Sequence, residues 1–247
     1  MPVTIKSARE IELMAEAGRI LEIVHNELRD ALHAGMSTLD IDRLGEEIIR
    51  SYDCIPSFLN YNGYPASICV SLNQEVVHGI PDKHRLIQDG DIVSLDAGVI
   101  YKGYHSDAAR TYGVGEISKE AKNLMQITKE CFFEGIKYAR EGNHLFDISA
   151  AIGRYAESRG FGVVRDLCGH GIGTALHEAP EIPNYEMNRK GVLLKAGMTL
   201  AIEPMINIGG WEVDWLDDDW TVVTRDQFAV RPLRKYRADH GKRTKAP

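Results

Sequence analysis

The chain has 247 residues, 44% of them hydrophobic and 26% charged, with a formal net charge of -7. That is the balance of a water-exposed globular protein large enough to bury a substantial core. A run of about 18 apolar residues occurs nowhere, which excludes a membrane-spanning helix. The start, Met1-Pro2-Val3-Thr4-Ile5-Lys6, lacks the apolar run of a secretory signal, so the expected location is the cytoplasm. The four cysteines, Cys54, Cys69, Cys131 and Cys168, form no CxxC pair, which argues against both a zinc knuckle and a disulfide framework. Charge is unevenly spread. Residues 231–247 hold seven basic side chains and one acid, so this tail carries +6 and the rest of the chain -13. A basic tail on an acidic body is the pattern of a nucleic-acid or ribosome contact.

Ser7 and Glu10 form a capping box, and Ile11, Met14, Ala17, Leu21, Val24 and Leu28 follow at helical spacing. A second helix starts near Ser37 or Thr38, with Ile41, Leu44 and Ile48 on one face. Strand-like runs follow at Ala66–Leu72, Asp91–Ala97 and Ala108–Val114. The order then restarts. Ser118 caps a third helix, a fourth runs from about Leu145 to Ser158, and strands are expected at Gly162–Leu167, Met198–Glu203 and Thr221–Thr224. This predicts an α+β fold: one catalytic domain over 1–247, with one half at about 10–115, a second at about 118–226 and an atypical basic tail at 227–247.

Four segments carry chemistry. Asp96 sits on a strand whose return strand, after Tyr101-Lys102-Gly103, contains Asp107. A turn centred between Tyr101 and Lys102 puts the two carboxylates opposite each other, about 5 Å apart. Such like charges repel unless a cation lies between them. In Gly169-His170-Gly171-Ile172-Gly173, alternate glycines let the backbone pass close to a neighbour, and His177 follows seven residues after His170. Glu203 ends an apolar strand, where a carboxylate has to be paired, protonated or metal-bound. His78 is lifted on a turn after a buried strand. Two Asp, one His and one Glu make an oxygen-rich ligand set that suits Mn, Fe or Co, or a less discriminating Zn site. Carboxylates of this kind can bridge two ions about 3.5–4 Å apart, and the chemistry of such a pair is hydrolysis.

Asn73-Gln74-Glu75-Val76-Val77-His78-Gly79-Ile80-Pro81, Asp96 with Asp107, Gly169 to Gly173 through His177 to Ile182-Pro183-Asn184-Tyr185, and Ala201-Ile202-Glu203-Pro204 together resemble the type I methionine aminopeptidases, from about Ile5 to Asp226. The resemblance implies the pita-bread fold, two pseudo-symmetric helix-helix-sheet halves around a dimetal centre. By position, Asp96 corresponds to the chelating ligand of one ion and Asp107 to a bridging ligand. His170 and Glu203 correspond to ligands of the other ion, and Glu203 is also counted with the catalytic groups. His177 corresponds to the group contacting the scissile carbonyl and its tetrahedral intermediate, and His78 to the one contacting the substrate amide. Phe58, Tyr61, Tyr64, Cys69, Leu176 and Trp220 match positions lining the methionine pocket, and a thiol with aromatic edges suits a thioether. The implied function is removal of initiator methionine from nascent polypeptides whose second residue is small. It goes with up to two divalent ions (Co, Mn, Fe or Zn), transient ribosome association, a monomeric state, no membrane and no specific nucleic acid.

The tail departs from the family. After Asp226 the resemblance calls for a Ser-Leu-Ser-Ala-like stretch and a bridging glutamate at position 234, where this chain has Arg234. Permitted codons for Gln227 onward, read one base later, yield Ser-Ser-Leu-Ser-Ala-Pro-Tyr-Glu-Asn-Thr-Val-Leu-Ile, with the glutamate at 234. The tail therefore reads as a frameshift product in preference to a nucleic-acid arm. The chain as written is expected to hold one ion well, a second weakly, and to have impaired activity. Two rival readings are a proline-specific aminopeptidase and a catalytically weakened binding protein of the same fold that contacts ribosome or RNA through the tail.

Overall fold

The computed structural model describes residues 3–226. The expected tail behaviour and final strand fall on 227–247, outside the described residues. The first half begins with helices α1 (Ala8–Ala31) and α2 (Thr38–Ser51). Both start at capping boxes, Ser7 with Glu10 and Ser37 with Asp40, which satisfy backbone N–H groups that the first helical turn leaves open. Then come β1 (Ile55–Pro56), β2 (Ile68–Leu72), β3 (Glu75–Val77), β4 (Ile92–Tyr101) and β5 (Tyr104–Gly113). Strand β4 pairs antiparallel with β1, β2 and β5. Its inward residues Val93, Leu95, Ala97 and Val99 pack with Leu21, Val24 and Leu28 of α1 and Ile41, Ile48 and Ile49 of α2. Leu95 has no exposed surface, and its truncation to alanine costs about 3 kcal/mol.

The second half repeats the order. Helix α3 (Lys119–Ile136) is capped by Ser118, as the sequence predicts, and α4 (Leu145–Glu157) starts where the His144 N–H donates to the Asp147 carboxylate at 2.8 Å. The strands that follow are β6 (Gly162–Val163), β7 (Gly169–Gly171), β8 (Glu178–Ile182), β9 (Leu200–Ala201), β10 (Ile206–Asn207), β11 (Val213–Trp215) and β12 (Val222–Thr224). Its core joins Ile127 and Cys131 of α3 to Leu145, Ile148 and Ile152 of α4. Strands β8, β7 and β9 form one sheet, while β12 carries the chain back to β3 of the first half.

Backbone hydrogen bonds reveal the pseudo-symmetry. Gly35 N–H donates to Ile87 O, Ile87 N–H to Met36 O and Thr38 N–H to Arg85 O. Gly142 N–H donates to Leu194 O, Leu194 N–H to Asn143 O and Leu145 N–H to Val192 O. Every residue of the second set lies 107 positions after its counterpart in the first. Gly35 and Gly142 share the left-handed conformation, φ +92° and +91°, that lets the chain turn into each second helix. The same shift of 107 carries Asp96 onto Glu203.

Candidate metal centre and its pocket

The β4–β5 hairpin turns at Lys102-Gly103, one residue later than the sequence reading places it. Asp96 therefore pairs with Ala109, and Asp107 with Gly98. The two aspartates are diagonal neighbours on one face, not direct partners. Lys102 adopts φ +50° and Gly103 φ +85°, the two positive values that a tight two-residue turn of this hand requires. The charge conflict survives the correction, since the Asp107 charge still adds to the upward push that burial gives the Asp96 carboxyl. Glu203 also shifts: β9 stops at Ala201, and the carboxylate is presented from the irregular segment beyond it.

Asp107, His170 and Glu203 converge. The Nε2 atom of His170 lies 3.4 Å from Asp107 Oδ2 and 3.1 Å from Glu203 Oε1, and the imidazole is 5% exposed. Its other nitrogen, Nδ1, donates to Gly171 O at 2.8 Å, which fixes the ring and turns Nε2 on the carboxylates. Both His170 Nε2 and Glu203 Oε1 are enclosed without a completed hydrogen bond. An orphaned nitrogen and an orphaned carboxylate oxygen side by side fit a shared cation, so the residues present suit a metal.

The electrostatics point the same way. Burial pushes the Asp96 carboxyl well above the usual carboxylate range, and the negative charges of Asp107 and Glu203 add to that push. Burial also raises Glu203, against the pull of His170. Burial alone would lower His170, but the Asp107 and Glu203 carboxylates that face its Nε2 overcome this and raise the imidazole to about 10. Without a cation this centre has to retain protons to exist. Perturbed groups clustered in this way mark a site for chemistry.

Beside the centre lies an apolar cluster that brings together all six pocket residues predicted from sequence. Phe58, Tyr64, Cys69 and Leu176 are buried, with Tyr61 and Trp220 against them. Tyr64 and Trp220 meet edge to face with centroids 5.1 Å apart. Ala66, Ile172, Met14 and Ile80 complete the cluster. Sequence reasoning missed these four, because their periodicity marks core and nothing else. The two further histidines lie against this cluster, His177 at Tyr61 and His78 at Trp220. His177 is exposed, its Nδ1 is 2.7 Å from the Tyr61 hydroxyl, and its ring centroid is 4.1 Å from that of His170. Burial first, and the neighbouring His170 second, lower it to about 4. His78 sits at φ +59° with its ring edge-on to Trp220, centroids 6.2 Å apart.

Fold and site together define a metal-dependent hydrolase built from two similar halves. Residues 12–232 match Metallopeptidase family M24, and the chain belongs to that family. Among its relatives, the methionine aminopeptidase of Clostridium acetobutylicum is 53% identical over 224 residues, 91% of this chain and 90% of that one. The crystal structure of methionine aminopeptidase from Thermotoga maritima superposes with a TM-score of 0.89 at 44% identity, covering 91% of this chain and 90% of that one. An Xaa-Pro dipeptidase from Bacillus anthracis gives a TM-score of 0.71 at 27% identity, and the match spans only 57% of its length. The pita-bread fold and divalent-metal binding expected from the sequence are therefore those of the family. Among the described residues, no helix is long and apolar enough to cross a membrane.

Proposed function

We propose that the chain is a methionine aminopeptidase, removing the initiator methionine from nascent proteins whose second residue is small. The observation that carries the reading is the Asp107–His170–Glu203 triad lying next to an apolar cluster of a thiol and aromatic edges, with Cys69 directly opposite Asp96 and His177 bonded to Tyr61. Asp107 and Asp96 are diagonal neighbours on one face of the hairpin, which suits Asp107 as a ligand shared by two ions and Asp96 as the chelating ligand of one. His170 and Glu203 are assigned to the other ion. When bound, the divalent ions (Co, Mn, Fe or Zn) supply Lewis acidity that activates water towards a carbonyl.

The protein's own residues then do the following. Phe58, Tyr64, Cys69, Leu176, Tyr61 and Trp220 bind the methionine side chain and exclude water from it. His177, held neutral at physiological pH and tied to Tyr61, faces the scissile carbonyl and donates to its developing negative charge. His78 hydrogen-bonds the substrate amide, and Glu203 serves as ligand and catalytic carboxylate. The whole chain, 1–247, acts as one monomeric catalytic domain in the cytoplasm, with transient ribosome contact. The second ion is expected to be held weakly, because the sequence has Arg234 where the resemblance calls for a bridging glutamate.

A proline-specific activity is not favoured, since the groups beside the centre are a thiol and aromatic edges, which suit a thioether side chain. A decayed binding protein is not favoured either, because all four ligands and both histidines are present. Comparing hydrolysis of Met-Ala-Ser with that of a peptide bearing an apolar first residue other than methionine and proline second tests the reading. Preference for the second peptide would overturn it.

A further inference from the structure

Immediately after His177, Glu178 opens β8 and folds its carboxylate into the turn formed by residues 173–178. Its Oε1 accepts the Ala175 N–H at 3.3 Å, and its Oε2 accepts the Lys6 ammonium at 2.5 Å and the Thr4 hydroxyl at 2.7 Å. Lys6 is 8% exposed, and lysine is rarely enclosed to that degree. The Lys6 ammonium also meets the Thr4 hydroxyl, and its backbone N–H donates to Gly197 O at 2.8 Å, anchoring the segment. A Cβ at Gly173 would run into the Glu178 carboxylate and the end of Lys6, so this ion pair fills the inside of the turn. The opposite wall is β5, where His105 N–H donates to Gly173 O at 2.8 Å.

We propose that Lys6 and Glu178 are positioning residues: the segment Thr4–Lys6, remote in sequence, straps the turn that carries His177 and fixes its imidazole beside the metal triad. The proposal rests on the reading of His177 as a substrate-contacting group. The turn opens on Gly173, and the His177 side chain reaches out to an exposed position where, among the described residues, the Tyr61 and His170 rings meet its own. Its aim therefore depends on where the turn's backbone places it relative to Tyr61 and His170. Stability alone is a poor reason for an enclosed ion pair, because desolvating both charges offsets most of their attraction. A fixed geometry next to the reacting atoms is a better one, since misplacement by about 1 Å costs roughly 100-fold in rate.

The test replaces the pair together, Lys6→Met with Glu178→Gln, so that no lone charge is left buried. The expected result is unchanged metal content with kcat for Met-Ala-Ser lowered about 10- to 100-fold. In a His177→Ala background the same replacements should lower kcat less than about twofold, because they act through His177. Thr4→Val, which removes one hydroxyl, should show the same pattern at roughly threefold and covers the case in which the double replacement fails to fold. Equal losses in both backgrounds, metal loss in step with activity loss, or an unaffected Thr4→Val would overturn the strap. If His177→Ala itself leaves kcat intact, the reading of His177 fails and the strap fails with it.

Discussion

Cys69 on β2 stands directly opposite Asp96 on β4, so one rung of the sheet joins the wall of the pocket to the metal centre. Burial pushes the Cys69 thiol well up, and the Asp96 charge adds to the shift. A thiol held neutral is a wall and not a ligand. Cys69→Ser should leave metal content unchanged and weaken the contact with the methionine sulfur and neighbouring rings by about 1 kcal/mol, roughly fivefold in KM. Loss of metal from Cys69→Ser would make it a ligand instead. The same apolar wall should reject Lys-Ala-Ser, and comparable turnover of that peptide would sink the methionine assignment.

Replacing His177 separates chemistry from metal binding. Its ring touches the His170 ring but faces no carboxylate within bonding distance among the described residues. His177→Ala should lower kcat about 100-fold, the usual loss for one oxyanion donor, with metal content intact. Metal content measured on the purified variant checks this, since a drop there would assign His177 to the ions.

Metal binding should release protons. In the metal-free protein Asp96 and Glu203 are raised above the usual carboxylate range, and His170 is raised to about 10. All three therefore bind protons more tightly than an unperturbed group does, and a cation needs them deprotonated. Apparent affinity should climb with pH from the carboxylate range towards about 10. Calorimetric titration of Mn in buffers of different ionisation enthalpy measures the protons released, and a pH-independent affinity would contradict the assignment.

An acid-sensitive element sits at the back of the same sheet. His25 of α1 is 4% exposed, donates from Nε2 to Ala108 O at 2.7 Å, and is lowered by burial to about 4. An unfolded histidine titrates near 6.5, so below that pH the unfolded chain takes up a proton that the folded chain refuses. Stability is full above about 6.5 and falls as pH drops towards about 4, by up to about 3 kcal/mol. His25→Gln keeps a donor for Ala108 and should flatten this decline. Urea unfolding at pH 7.5 and 4.5 makes the comparison, and an equally steep loss in the variant would place the acid sensitivity elsewhere.

The tail yields the last prediction. The chain as written should bind one divalent ion tightly and a second weakly, with sharply reduced turnover of Met-Ala-Ser. Reading the codons from residue 227 one base later should restore a carboxylate at 234 and with it the second ion and the activity. Titrating metal into both forms while following hydrolysis tests it. Two tight ions and full turnover in the present sequence would show that Arg234 does no harm.

Much of this fold is legible along the chain. Ser7, Ser37 and Ser118 announce three helix starts because capping is a local bargain between a side chain and the next turn of backbone. The fourth start was harder to see, since His144 is not a usual capping residue. Motif residues pointed to the candidate ligands, three of which converge, because glycine spacing and strand-end carboxylates carry chemistry in their type. Three-dimensional packing decided the rest. A hairpin register depends on which two residues take positive φ at the turn, and Lys102-Gly103 moved Asp107 by two rungs, from Asp96 to Gly98. The shift of 107 positions between the halves leaves almost no trace in residue identity, because backbone bonds repeat where side chains need not. Lys6 reads as an ordinary surface lysine until folding brings Glu178 to it across 172 positions of chain. Contacts that remote are set by how the two halves close on each other, which local sequence does not encode.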